Sequence, residues 1–229
     1  MRILVLGVGK TGKLVAEIAA EHGHSVHVLD AKENKDGAAL TAPFVAGFDV
    51  VIDFTTPEAV LTNMRAVLAT GAKMVVGTTG WYDQLNDVTQ MAERRGASLL
   101  YGTNFSIGVQ ITMEMAKHMT EVLKGYGYHF SISETHHTSK LDSPSGTALT
   151  LRDVVTKELD GQEITITAHR TGDAAGIHTL EAEGPSDKLI LTHESKSRRS
   201  FAEGAVRAAE WLAHQKPGIF NFRNVFDKI

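Results

Sequence analysis

Six residues, Gly7-Val-Gly9-Lys-Thr-Gly12, restrict this chain more than any others. They follow the apolar run Ile3 to Leu6, which reads as a buried strand. They precede a helix predicted over residues 13–22, with Leu14, Val15, Ile18 and Ala19 at helical spacing. A second strand, Ser25 to Asp30, ends in an acid roughly 20 residues further on. Strand, three-glycine turn, helix, and strand ending in a carboxylate is the order of a dinucleotide-binding unit. The glycines allow a tight turn and let a pyrophosphate approach the helix N-terminus. Gly7, Val8, Gly9, Lys10, Thr11 and Gly12 are therefore candidate cofactor contacts. Asp30 is placed to accept hydrogen bonds from the adenosine ribose.

The alternation of strands and helices continues. Residues 38–48 carry Pro43 and Gly47 and read as a loop. Strands are predicted over 48–54, 73–77 and 98–101, with helices from Pro57 to about residue 70 and over 84–95. Each strand ends in small or hydroxyl residues: Asp53-Phe-Thr-Thr-Pro57, Gly77-Thr-Thr-Gly80 and Gly102-Thr-Asn-Phe-Ser106. In a doubly wound sheet such ends line the ligand crevice. Phe54, Gly77, Thr78, Thr79, Gly102, Thr103, Asn104 and Phe105 join the candidate cofactor contacts.

Beyond Ser106 the pattern changes. A long amphipathic helix is predicted over 107–124, a strand over 126–134, and a helix from Ser145. Strands follow over 163–168, 178–182 and 188–192, then a helix over 201–215. The expected fold is α/β, a Rossmann-type parallel-sheet domain followed by an α+β domain with a mixed sheet. The expected domains are 1–105, completed by 206–229, and 106–205.

Composition bounds the function. A chain of 229 residues with 42% hydrophobic and 22% charged residues has ample core for two domains. A formal charge of −4 gives no reason to expect nucleic acid or an anionic membrane as partner. With no cysteine there is neither a disulfide nor a thiolate metal site, as suits a reducing cytoplasm. No apolar run reaches transmembrane length.

Chemistry concentrates in Glu134-Thr-His-His-Thr-Ser-Lys140-Leu-Asp-Ser-Pro-Ser-Gly-Thr-Ala-Leu149. Ser145 can cap a helix whose first free N–H groups, on Gly146 and Thr147, form an anion site. His136, His137 and Lys140 bring protons and positive charge beside it. Adjacent histidines on an extended chain point to opposite faces, and no carboxylate cluster is evident beside them, so no metal site is expected. His22, His24, His27, His118 and His214 read as surface or helix-packing residues.

The stretch resembles the signature of the 4-hydroxy-tetrahydrodipicolinate reductase (dihydrodipicolinate reductase) family, Glu-x-His-His-x-x-Lys-x-Asp-x-Pro-Ser-Gly-Thr-Ala. The strand ends at Asp53–Pro57, Gly77–Gly80 and Asn104–Gly108 match the same family in order. So do Arg170-x-Gly-x-x-x-Gly-x-His178, His193 and Ser197-Arg198-x-x-Phe-Ala-x-Gly-Ala205. The resemblance covers nearly the whole chain. It implies a cytoplasmic, homotetrameric NADH- or NADPH-dependent reductase of lysine and diaminopimelate biosynthesis. Its substrate would be a cyclic imine dicarboxylate. Proton delivery would fall to His136 and Lys140. Carboxylate binding would fall to His137, Ser145, Gly146, Thr147 and Arg198.

The chain departs from the family pattern in places. The glycine loop is one residue shorter than the commonest form, and the segment after Asp30 is short. Ala31 stands where some members carry an arginine that meets a 2′-phosphate, so NADH is the favoured cofactor. Thr138-Ser139 and Ser143 replace commoner residues beside the matched ones. A related amino or imino acid dehydrogenase, of the aspartate-dehydrogenase type, and a non-catalytic nucleotide sensor are the alternative readings.

Overall fold

Strand β1 (Arg2–Leu6) is apolar and fully buried from Ile3 onward, as a strand covered on both faces of a parallel sheet must be. The computed structural model describes residues 1–229. After β1 come α1 (Lys10–Glu21), β2 (Ser25–Leu29), the short α2 (Ala42–Val45), β3 (Val50–Asp53), α3 (Pro57–Leu68), β4 (Lys73–Val76), α4 (Leu85–Arg95) and β5 (Ser98–Tyr101). The chain continues with α5 (Ile107–Leu123), β6 (His129–His136), α6 (Gly146–Glu158), β7 (Thr165–Arg170), β8 (Ile177–Glu183) and β9 (Lys188–Glu194). It closes with α7 (Arg199–Ala213) and β10 (Gly218–Asn221).

Two compact units result, Met1–Ser106 with Arg199–Ile229, and Ile107–Arg198. The first is built on a parallel sheet of order β10-β5-β4-β3-β1-β2. Strand order reverses at β1, which pairs β2 on one side and β3 on the other, so the crevice outside the strand ends opens there. The core beneath includes Leu4, Leu6, Val51, Met64, Met74, Trp81 and Leu99, all at 1% exposure or less. Burying each large side chain contributes about 1.5–3 kcal/mol.

Several boundaries differ from expectation for identifiable reasons. Helix α1 begins at Lys10, three residues early, because the second half of the glycine loop is already its first turn. Residues 42–45 are helical because Pro43 sits in the first turn, where a missing N–H costs nothing. The expected division at 205/206 would cut α7. Gly204 seats that helix so closely on the first unit that a Cβ would lie 1.8 Å from the Phe105 carbonyl oxygen. The tail adds β10 beside β5.

The second unit carries a four-stranded mixed sheet of order β7-β6-β8-β9, in which β6 and β7 are parallel and the other pairs antiparallel. Even-numbered residues of β6 and β8 face inward, with Ile132, Leu180 and Ala182 packed under α5 and α6. Strand β6 was expected to end at Glu134 and instead runs to His136, held by pairing of Thr135 with Ile177 and of His136 with Arg170.

Candidate functional site

In the first unit, all the predicted cofactor residues lie at the carboxyl ends of β1 to β5. Gly7 has φ +103, and a Cβ there would meet the Phe54 carbonyl oxygen at 2.4 Å. A Cβ on Gly12 would lie 2.2 Å from the Gly7 oxygen. Around Gly9, by contrast, the same construction meets nothing within 4 Å. Two glycines are thus demanded by the fold, while the third faces open space. Helix α1 starts at Gly9 without a side-chain cap, which leaves its first N–H groups for an anion. Val8, beside them, is 43% exposed. Asp30 Oδ1 accepts from the N–H groups of Lys32 (2.7 Å) and Glu33 (2.9 Å). Those backbone donors, that of Glu33 first, hold the carboxyl below its usual range. These features fit a dinucleotide: a bare helix start at a glycine cradle, and an ionised acid at the end of the next strand.

The strand ends are braced from below by Asp53, which the sequence reading did not single out. It is fully buried, and burial pushes its pKa up against four donors. They are the Thr55 N–H (2.9 Å) and hydroxyl (2.7 Å), the Thr78 hydroxyl (2.8 Å) and the Asn63 amide (2.9 Å). Thr78, expected on the cofactor, therefore spends its side chain on Asp53 and on the Thr55 N–H. The Phe54 ring covers Gly77, leaving no room for a Cβ. Phe105, also expected to touch cofactor, is 2% exposed and packs on Phe222 at 4.6 Å. Thr78 and Phe105 frame the crevice; their side chains do not line it. Asn104 turns its side chain back to accept the Ser106 N–H at 2.9 Å.

In the second unit, sheet register assembles a cluster on the inner face. Glu134 opposes His178 across β6 and β8, His178 opposes His193, and His136 pairs with Arg170 of β7. Glu134 is the hub. Its Oε1 accepts from the Ser145 N–H (2.9 Å) and Arg170 Nη2 (3.1 Å). Its Oε2 lies 3.3 Å from His136 Nδ1 and 3.7 Å from His178 Nε2. Burial raises the Glu134 carboxyl, but the Ser145 and Arg170 donors outweigh it and the net shift is downward. Burial pulls His136 and His193 down, and holds His178 at about 4. An anionic hub therefore faces neutral imidazoles.

Glu134, His136 and His178 place one ligand atom each within 4.8 Å of one another, a grouping with a single carboxylate. The Arg170 guanidinium on the same carboxylate satisfies its charge and opposes a divalent ion. His22 and His24 form a second such group, both aiming at Glu210 Oε1, at 2.9 and 2.8 Å. Their bonds tie the end of α1 and the start of β2 to α7.

Ser145 caps α6 as predicted, its Oγ accepting from the Ala148 N–H at 3.2 Å and meeting His178 Nε2 at the same distance. With both N–H and Oγ so engaged, and only 2% exposed, it braces the helix start. Gly146 begins the helix with open space where a Cβ would stand. Lys140 Nζ pairs with Asp142 Oδ1 at 2.7 Å. Burial raises the Asp142 carboxyl, and Lys140 with the 142 and 146 backbone N–H groups more than offsets this. Asp142 thus occupies the position of an anion between an ammonium and a helix start. His137 is half-buried, its Nδ1 held by Ser139 Oγ at 2.8 Å. Arg198, exposed at the end of the unit, is not part of the Glu134 cluster; Arg170 is the arginine there. Arg170 and His178 were noted in the sequence but given no role. Glu134 could have been placed from the two-residue period of β6, which puts it on the face of His136.

The same sequence matches two family descriptions, dihydrodipicolinate reductase N-terminus over residues 1–105 and C-terminus over residues 108–226. It is 35% identical to the 4-hydroxy-tetrahydrodipicolinate reductase of Christiangramia forsetii, over 100% of this chain and 99% of the relative. With the protein of that name from Methanopyrus kandleri the identity is 35%, over 97% and 80% of the two chains. Among solved structures, a dipicolinate-bound dihydrodipicolinate reductase from Paenisporosarcina shares the fold, with a TM-score of 0.79 at 23% identity, covering 98% of this chain and 99% of that one. Sequence matches over both units, on a fold that places the matched motifs at strand ends and at one helix start, establish that this chain belongs to the dihydrodipicolinate reductase family.

Proposed function

We propose that this chain reduces 4-hydroxy-tetrahydrodipicolinate to tetrahydrodipicolinate with NAD(P)H, a step of lysine and diaminopimelate biosynthesis. The full-length family match carries the activity. The observation that supports the site is the convergence, within one unit, of the Glu134–His136 pair, Lys140 and the α6 start. The balance is one imine, one NAD(P)H and one proton giving the reduced product, NAD(P)⁺ and water. When bound, the nicotinamide supplies the hydride.

The residues divide the remaining work. A dicarboxylate needs cations and N–H donors, and His137, Gly146, Thr147, Lys140 and Arg198 are the groups proposed to meet it. A substrate carboxylate would replace Asp142 between Lys140 and Gly146. Lys140 and His136 are the proposed groups for proton delivery. His136 is held neutral by burial and is largely shielded, so recharging from bulk solvent does not suit it. Lys140 is then the group proposed to hand the proton to the reduced substrate, with neutral His136 close enough to feel its charge.

NADH is the favoured cofactor, since Asp30 would repel a 2′-phosphate and Ala31 offers it no guanidinium. The outer face of the second sheet carries Ser131, Ser133, Thr135, Thr165, Thr167, Thr179 and Thr192, with Ile190 60% exposed. Charge on this face is concentrated at one end, where Lys188 pairs with Glu181 and Glu183; the hydroxyl-rich remainder around exposed Ile190 supports assembly through this face, as a homotetramer. No helix is long and apolar enough to cross a membrane.

The deciding experiment is NADH oxidation with freshly generated imine. Imine-dependent turnover, inhibited competitively by pyridine-2,6-dicarboxylate, is the expected result. Turnover with aspartate and none with the imine would favour the amino acid dehydrogenase. Cofactor binding without either turnover would favour a sensor.

A further inference from the structure

We propose that Glu134 is a positioning residue that fixes the proton of His136 on Nδ1, leaving Nε2 as the nitrogen that exchanges a proton or hydrogen bond during the reaction. This rests on the reductase reading only for its catalytic consequence; the ring geometry stands by itself.

Glu134 and His136 are two residues apart on β6 and share its inner face. The carboxylate is fully buried, and its two oxygens have different partners. Oε1 is saturated by the Ser145 N–H and the Arg170 guanidinium. Oε2 faces the histidines, 3.3 Å from His136 Nδ1, and both atoms are buried with no hydrogen-bond partner elsewhere. With a guanidinium and an amide N–H on the other oxygen, the carboxylate is ionised and can only accept. The facing imidazole nitrogen must therefore carry hydrogen, or two lone pairs would oppose each other in a buried site. A neutral ring has a single N–H, so Nε2 is the bare nitrogen. The far side of the ring is kept narrow by Gly176, whose missing Cβ would lie 3.0 Å from Nε2. The second histidine is held by Ser145 Oγ, 3.2 Å from its Nε2. His178 meets Oε2 through Nε2, at 3.7 Å, and stands edge-on to His136 with centroids 5.0 Å apart. Glu134 thus joins three things: the α6 start, through Ser145, the Arg170 charge, and the orientation of the reacting imidazole.

A merely structural Glu134 would hold the Ser145 turn and nothing else. Glu134→Gln separates the two roles. The glutamine oxygen still accepts from Ser145 and Arg170, but its amide donates where Oε2 accepted. Nδ1 of His136 must then accept, and the proton moves to Nε2. Glu134→Asp keeps the charge but withdraws it from the ring. The experiment is ring-nitrogen NMR of ¹⁵N-histidine-labelled chain, with His136→Gln for assignment, alongside kcat, KM, NADH affinity and melting temperature.

Expected are an Nδ1–H tautomer in the wild type and in Glu134→Asp, and an Nε2–H tautomer in Glu134→Gln. With the wrong tautomer kcat should fall by on the order of 10²–10⁴-fold, with KM and NADH affinity little changed. Glu134→Asp should retain more activity than Glu134→Gln. An Nε2–H ring in the wild type, or an unchanged ring in a folded Glu134→Gln, overturns the proposal. If Glu134→Gln does not fold, the wild-type and Glu134→Asp spectra decide the assignment. A wild type that turns over no imine but shows the expected tautomers defeats the reductase reading and leaves the assignment standing.

Discussion

A Cβ built on Gly176 would come to 3.0 Å from Nε2 of His136, and the φ of that glycine is +144. The position thus excludes a side chain twice, by backbone conformation and by the ring behind it. Gly176→Ala should cost about 1–3 kcal/mol of stability from the backbone alone. For a chain of this size each kcal/mol lowers Tm by roughly 2–4 °C. The displaced imidazole should also lower kcat more than it raises KM. Unchanged melting and unchanged kcat would show that the loop yields freely and that the contact does not hold the ring.

Lys140 is paired with Asp142 at 2.7 Å, in a loop whose neighbouring helix start is the proposed carboxylate site. Lys140→Ala should reduce kcat by about 10²–10⁴-fold, the range for loss of a positioned acid. His136→Ala should behave alike. His137→Ala should act mainly on KM, as a lost ground-state contact does. Asp142→Asn removes the internal anion that the substrate must displace. A partly exposed ion pair contributes up to about 1 kcal/mol, so KM should fall by no more than about five-fold. A higher KM in Asp142→Asn would show instead that Asp142 is needed to aim the lysine.

The pKa of buried His178 is depressed to about 4, from 6.5, chiefly by burial and then by His136. A depressed histidine favours folding only while it is neutral. Its contribution is therefore complete above pH 6.5, and declines as pH falls towards 4. At one pKa unit per 1.36 kcal/mol the full loss is about 3 kcal/mol. Chemical unfolding followed between pH 7 and pH 4 should show this decline. His178→Gln should flatten it, whatever its own stability. An equally steep decline in that variant would assign the effect to other groups.

Gly12 and Gly9 sit in the same loop and should answer differently to alanine. A Cβ on Gly12 would strike the Gly7 carbonyl oxygen at 2.2 Å, whereas Gly9 has open space. Gly12→Ala should lower Tm and disturb the whole turn. Gly9→Ala should melt like the wild type and weaken NADH binding, because only a bound pyrophosphate would crowd it. Equal NADH affinity in Gly9→Ala and the wild type would move the pyrophosphate elsewhere.

Asp30 should set the choice between the cofactors. The ratio of kcat/KM for NADH over NADPH is expected to exceed one, and Asp30→Ala to bring it down by lifting repulsion from a 2′-phosphate. Lys32 and Lys35 are near in sequence and should keep the wild-type ratio moderate. A strong NADPH preference in the wild type would remove Asp30 from this role.

The sequence by itself determined the parts that depend on local order. Hydrophobic runs, three glycines and an acid at a strand end sufficed for the parallel sheet, because a buried strand and a glycine turn each have a local physical cause. The motif from Glu134 to Leu149 marked the stretch proposed to carry the chemistry, and Ser145 announced its helix. Tertiary structure decided what each polar group is spent on. Thr78 was readable as a strand-end hydroxyl, but only the β3–β4 pairing turns it on Asp53. Ser145 was readable as a cap, but only the fold buries it between Glu134 and His178. Arg170 and His178 lie 36 and 44 residues from Glu134, and only the register of β7 and β8 against β6 brings them to it. Hydrogen-bond partners distant in sequence follow from strand pairing, and pairing is settled by the packing of the whole sheet, which no local stretch encodes.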